Sequence, residues 1–116
     1  MLRFCRLLFA AAVVAVGVPA LAAQSAFIGN WGTSAAQCNL PQDNEAAPMI
    51  ITAHGYDQHE AHCRFVSITP DGGGWKATAT CSVEGNKQRD AFRLHVAGDT
   101  MTLRRGRVAK RFQRCG

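Results

Sequence analysis

Cys63 to Glu84 reads CRFVSITPDGGGWKATATCSVE, and the fold follows from how this stretch is read. Pro70 to Gly74, PDGGG, is the clearest turn signal in the chain, because Pro, Asp and Gly each favour turn geometry. After it the residues alternate. Trp75, Ala77, Ala79, Cys81 and Val83 fall on one face, and Lys76, Thr78, Thr80, Ser82 and Glu84 on the other. A period of two marks a half-buried strand. His62 to Thr69 reads as a strand before the turn, so the segment predicts an antiparallel hairpin. With Thr69 opposite Trp75, paired residue numbers sum to 144 and Cys63 falls opposite Cys81. Directly opposed residues have Cα atoms about 4.5–5.5 Å apart, within disulfide reach. That pairing leaves Cys38 to join Cys115, tying the first long loop to the last strand.

The same rhythm extends outward. Strands are expected at Phe27–Thr33, Met49–Ala53, Ala91–Val96, Met101–Leu103 and Val108–Cys115, seven in all with the hairpin. Ala35 to Pro48 is polar and reads as a loop. Gly85–Asp90 and Gly98–Thr100 read as turns, with Phe92, Leu94 and Val96 inward and Arg93 and His95 outward. Short connections favour a meander of antiparallel neighbours, and curling closed hides its edges. The expectation is an all-β fold: a small antiparallel β-barrel stapled by two disulfides, with a flattened sandwich as the alternative.

The chain opens with a basic start, MLRFCR, followed by an apolar run from Leu7 to Val18, then Pro19 and Ala20-Leu21-Ala22. This is the pattern of a secretory signal peptide over residues 1–22, and the apolar run is too short for a bilayer span of about 20 residues. One domain, 23–116, remains. Cys5 leaves with the leader, so an even set of four cysteines stays, as in small exported domains of oxidising compartments. The formal charge falls from +5 to +3 with the loss of Arg3 and Arg6. The predicted location is periplasmic or secreted. Export argues against nucleic acid as the partner, no membrane span is expected after cleavage, and a monomer without cofactor is the expected state.

Two segments invite a search for chemistry. His54 to Cys63, HGYDQHEAHC, holds three of the four histidines. Its HEAH core lacks the H-E-x-x-H spacing of zinc proteases. If Asp57–Glu60 began a helical turn, His59, His62 and Cys63 would share a face and suit zinc or copper. In a strand His59 and His62 point opposite ways, and a cystine removes the thiolate. His54, His59 and His62 are therefore the candidate metal ligands, against a reading as surface histidines beside a structural cystine. The second segment is Leu103 to Cys115, LRRGRVAKRFQRC, where Arg104, Arg105, Arg107, Lys110, Arg111 and Arg114 form a run without acids. Such a patch attracts anions, and Arg suits phosphate and carboxylate. The same charges would also keep an edge strand unpaired. A basic patch disfavours docking to basic animal-type lysozymes.

Enzyme signatures are missing: there is no G-x-S-x-G, phosphate loop or dinucleotide fingerprint. Asp71, Glu84, Asp90 and Asp99 are expected in turns or at strand ends, unpaired.

Gly29-Asn30-Trp31, with Cys38 following, resembles the G-x-W opening of lipocalin-type barrels. Chain length and that opening together resemble the small periplasmic inhibitors of bacterial alkaline metalloproteases. The resemblance implies an eight-stranded barrel, Trp31 plugging one end, and an N-terminal segment Ala23, Gln24, Ser25 and Ala26 that enters a protease active site. Two predicted disulfides depart from the single one expected there. The W-x(6)-C start and R-C end also resemble uncharacterised small exported proteins of Gram-negative bacteria, a likeness that carries no activity. The functional expectation is a non-enzymatic exported binding module, acting as a protein or protease inhibitor or an envelope adaptor. A periplasmic metal-binding protein and an anion binder using the C-terminal arginine strand are the alternatives.

Overall fold

The β4–β5 hairpin organises the computed structural model, which describes residue 12 and residues 25–116. β4 runs Ala61–Asp71 and β5 Gly74–Val83. Asp71 faces Gly74 across a two-residue turn, Gly72-Gly73, with φ +54° and +84°. Two successive left-handed residues match the twist of a tight hairpin, which is why glycines stand there. Near the turn Pro70, not Thr69, therefore faces Trp75, a correction of one residue to the expected register. A bulge then absorbs Val66, so Phe65 faces Ala79 and Cys63 faces Cys81. Turn offset and bulge cancel, and the expected Cys63–Cys81 disulfide forms. The bulge also reverses the alternation of β4. Cys63 points inward before it, and Ile68, opposite the buried Ala77, packs on the core after it.

The remaining strands are β1 (Gly29–Gly32), β2 (Met49–Ile51), β3 (Gly55–Gln58), β6 (Asn86–Ala97), β7 (Thr100–Arg105) and β8 (Val108–Arg114). They pair in chain order, all antiparallel, and β8 returns to β1 through Trp31–Arg114 and Gly32–Gln113. The barrel is closed, which removes its edges. It has eight strands where the sequence reading counted seven. The extra one, β3, is too short for its alternation to register and lies inside HGYDQHEAHC. That segment is a hairpin with His59 at φ +52° in its turn, not a helical turn begun by Asp57. Gly55 lies so close to β4 that a Cβ there would meet the Cys63 carbonyl oxygen at 1.9 Å.

Three further boundaries differ from expectation. Phe27 belongs to a 3-10 turn, Ser25–Phe27, because the strand begins only at Gly29. The polar loop contains a four-residue helix, α1 (Ala35–Cys38), whose first turn Ser34 caps by accepting from the Gln37 amide at 3.2 Å. Strand β6 starts at Asn86, so Asp90 sits inside a strand rather than in a turn. The second disulfide, Cys38–Cys115, joins the end of α1 to the residue after β8.

An eight-stranded barrel is just wide enough for its own side chains. Phe27, Trp31, Met49, Ile51, Trp75, Phe92, Leu94, Met101, Leu103 and Phe112 are buried there, each worth roughly 1.5–3 kcal/mol on transfer from water. Among the described residues no helix is long and apolar enough to cross a membrane. Two disulfides are the chemistry of an oxidising compartment. The leader cleavage at Ala22, Ala23 and Gln24 lie outside the described residues.

Candidate functional site

The barrel alternates, so each strand offers one row to the core and one to solvent. The sequence-predicted candidates fall into both rows, and that division sorts them.

Arg105 and Arg114 are committed inward. The Arg114 guanidinium lies 4.3 Å from the centre of the Trp31 ring and donates to the carbonyls of Ile28 and Ala26, each at 2.9 Å. The Trp31 indole donates to the Phe27 carbonyl at 2.9 Å. Phe27 meets Trp75 edge-on at 5.2 Å. Trp31 is fully buried, and these groups seal the end of the barrel where β1 begins. The Ala26 carbonyl is thus part of the closure.

At the other end Arg105 donates through Nε and Nη2 to the two carboxylate oxygens of Asp90, both at 2.8 Å. The Tyr56 hydroxyl donates to the same carboxylate, beside Cys81. Burial alone would raise the Asp90 pKa. The bonds from Arg105 and Tyr56, with the Arg105 charge, override it and hold the carboxyl below the usual carboxylate range. Burial first, then the bond to Asp90 and its charge, push the Tyr56 phenol far above its ordinary value. Donors and acceptors are matched in this triad, and it stitches β3, β6 and β7 together next to the Cys63–Cys81 cystine.

The histidines separate. His59 is tied to the loop: its amide donates to Gln42 Oε1 at 3.0 Å and its Nδ1 lies 3.1 Å from the Gln42 carbonyl. His62 Nδ1 sits 2.7 Å from Asp57 Oδ1 on the outer face, and His54 lines the same open groove of about 530 Å³. Among the described residues no three His, Cys, Asp or Glu side chains converge in a metal-binding group. Asp57, His62 and Ser82 lie side by side on β3, β4 and β5, the composition of an acyl-transfer relay. The rest of that machinery is missing from the geometry. The imidazole bonds Asp57 and not Ser82, and Ser82, the penultimate residue of β5, is paired with strands on both sides, where its amide is not free to serve an oxyanion.

The outer row of β5–β8 is different in kind. Lys76 and Lys87 face out opposite Arg93 and Ser82, and Arg89 and Arg93 face out from β6. Arg104 and Arg111 continue the face on β7 and β8, with His95 beside Thr102. The intervening outward positions are small or neutral: Thr78, Thr80, Ala91, Thr102, Ala109 and Gln113. Arg107 extends the face at the β7–β8 turn, while Lys110 shares the inward parity of β8 yet stands exposed over the Phe112 ring at 5.5 Å. No acid occupies an outward position of these four strands. Asp71, at the end of β4, reaches Arg93 at 3.5 Å; Asp57 lies on the outer face of β3, and the other acids lie in the α1–β2 loop, in the hairpin turns or inside. The six C-terminal cations thus supply only part of the patch. Lys76, Lys87, Arg89 and Arg93 were not among the sequence candidates, although alternation already turned Lys76 and Arg93 outward. Strand pairing, which brings them beside Arg104, was the missing step.

No protein family, curated protein or solved structure matches this chain.

Proposed function

We propose that the protein is an exported, non-catalytic binding module that recognises an anionic partner of the cell envelope through the outer face of β5–β8. The observation that carries this reading is the outward row of six cations, Lys76, Lys87, Arg89, Arg93, Arg104 and Arg111, on four adjacent strands without an outward acid. Strands about 4.8 Å apart hold these charges as a regular lattice on a rigid, disulfide-bonded scaffold. Packed with its own side chains, the interior serves the scaffold, and the surface is what remains for recognition. A surface of one sign concentrates field and draws oppositely charged partners, with affinity that falls as salt rises.

The test is retention of the disulfide-bonded protein on immobilised dextran sulfate. The variant Lys76→Gln/Arg89→Gln/Arg93→Gln/Arg104→Gln should elute at much lower salt than the parent. Replacing Asp57 and Glu60 by their amides, on the acidic side, should leave elution nearly unchanged. Equal elution of parent and face variant, with both folded, would overturn the proposal.

A further inference from the structure

Within the basic face, one row is built differently from the rest. Lys76 on β5 is directly opposite Arg93 on β6, and Arg93 is directly opposite Arg104 on β7. Like charges placed directly opposite each other destabilise a sheet. Here two such steps follow in one line. The positions flanking the row are Thr69 on β4 and Ala109 on β8, neither of which neutralises it. Among the described residues neither Lys76 nor Arg104 pairs with an acid, and Arg93 meets only Asp71, at 3.5 Å between half-exposed groups. Elsewhere on the face cations stand opposite neutral side chains: Arg89 by Thr80, Lys87 by Ser82, Arg111 by Thr102.

Space is left on both sides of this row. Toward the β4–β5 turn, Arg93 and Arg104 border an open groove of about 390 Å³ that also holds His95, Thr102 and Asp71. On the other side, the small Ala91 and Gly106 leave a groove of about 310 Å³ that Lys76 shares. Three flexible cationic arms from three neighbouring strands can therefore converge on one small anion.

We propose that Lys76, Arg93 and Arg104 form a discrete site for a phosphomonoester group, with Thr102 as a neutral donor beside it. This rests on the anionic-partner reading above and names its ligand. A phosphomonoester carries close to two negative charges at neutral pH and three strong acceptor oxygens, against one charge and two oxygens for a carboxylate. Two arginines supply paired N–H forks suited to such oxygens, and the lysine supplies a third charge. Asp71 competes with the ligand for Arg93. The phosphate-bearing source is either a phosphorylated envelope sugar or a lipid headgroup, since both present the same group.

The experiment is titration of the disulfide-bonded protein with inorganic phosphate at constant ionic strength, followed by backbone amide shifts, with acetate as the comparison. Saturable shifts centred on residues 76, 93, 102 and 104 are expected for phosphate, with acetate weaker by about tenfold, the ratio that 1.4 kcal/mol gives. Arg93→Gln and Arg104→Gln should each weaken phosphate about fivefold or more, an effect of the size expected for charge-assisted bonds at an exposed site. Lys87→Gln/Arg89→Gln, on the same face but outside the row, should change it by less than about twofold. Asp71→Asn should strengthen it. Competition by glucose 6-phosphate or by vesicles containing phosphatidic acid then separates the sugar from the lipid source. If phosphate and acetate behave alike, or if all cation variants weaken phosphate equally, the discrete site is wrong and the broad basic face alone remains. Loss of dextran sulfate retention in the parent as well would remove both.

Discussion

Replacing Arg114 by alanine should destabilise the protein strongly while sparing its anion binding. The guanidinium stacks on Trp31 at 4.3 Å and ties down the Ile28 and Ala26 carbonyls, both at 2.9 Å. Its contact with Asp99 is 3.6 Å long, and that carboxylate is 90% exposed, so the pair adds little. A charged hydrogen bond is worth about 1.5–3 kcal/mol and a cation–π contact about 0.5–2 kcal/mol. The Arg114 side chain is 31% exposed, so the lower ends of these ranges apply, and the two hydrogen bonds with the cation–π contact sum to about 3.5 kcal/mol. For a domain of this size that lowers Tm by roughly 14–28 °C. Urea unfolding of the oxidised protein, followed by tryptophan fluorescence, measures it. Arg114→Lys should recover less than half of the loss, because an ammonium cannot stack flat and fork to two carbonyls. Salt elution from dextran sulfate should stay close to parental for any folded variant. A loss under about 1 kcal/mol, or a fall in retention as large as that of Arg104→Gln, would refute the division between inward and outward cations.

Three other outcomes follow from the same geometry. The Asp90 carboxyl is held below its ordinary range, so its stabilising contribution is complete above about pH 4 and is lost as pH falls through the lower folded value; Asp90→Asn should be less stable at neutral pH and show a flatter acid limb in pH-dependent urea unfolding. Cys38 and Cys115 lie 77 residues apart, and replacing both by alanine should cost about 4 kcal/mol by loop-closure entropy in denaturant titration. Glu84 holds φ +48° in the β5–β6 turn, and Glu84→Gly should raise the denaturation midpoint by the equivalent of about 1 kcal/mol.

Much of this architecture was legible because β5 and β6 are long and alternate without interruption. Trp75, Ala77, Ala79, Cys81, Phe92 and Leu94 are all buried as their spacing requires. Period-two reading works where one face is wet and the other dry. It fails where a short strand neither alternates nor is rich in β-formers, as in β3 (GYDQ), and where a bulge reverses the faces, as at Val66. The cystine partners were predicted correctly through a register that holds only beyond that bulge. The basic end was visible as composition, but composition does not distinguish Arg114 under Trp31 from Arg111 in solvent. That difference depends on β8 closing against β1, a contact between residues more than eighty positions apart. The cross-strand row Lys76–Arg93–Arg104 was hidden for the same reason, since each cation belongs to a different strand.

The most direct test of the account is a residue-by-residue map of where a polyanion lands on the disulfide-bonded protein. Amide shifts recorded with a short dextran sulfate oligomer would provide it. The account predicts perturbation concentrated on the outward positions of β5–β8, around Lys76, Arg89, Arg93, Arg104 and Arg111. Perturbation centred instead on the His54–His62 hairpin or on the N-terminal turn, or no saturable change at all, would contradict it.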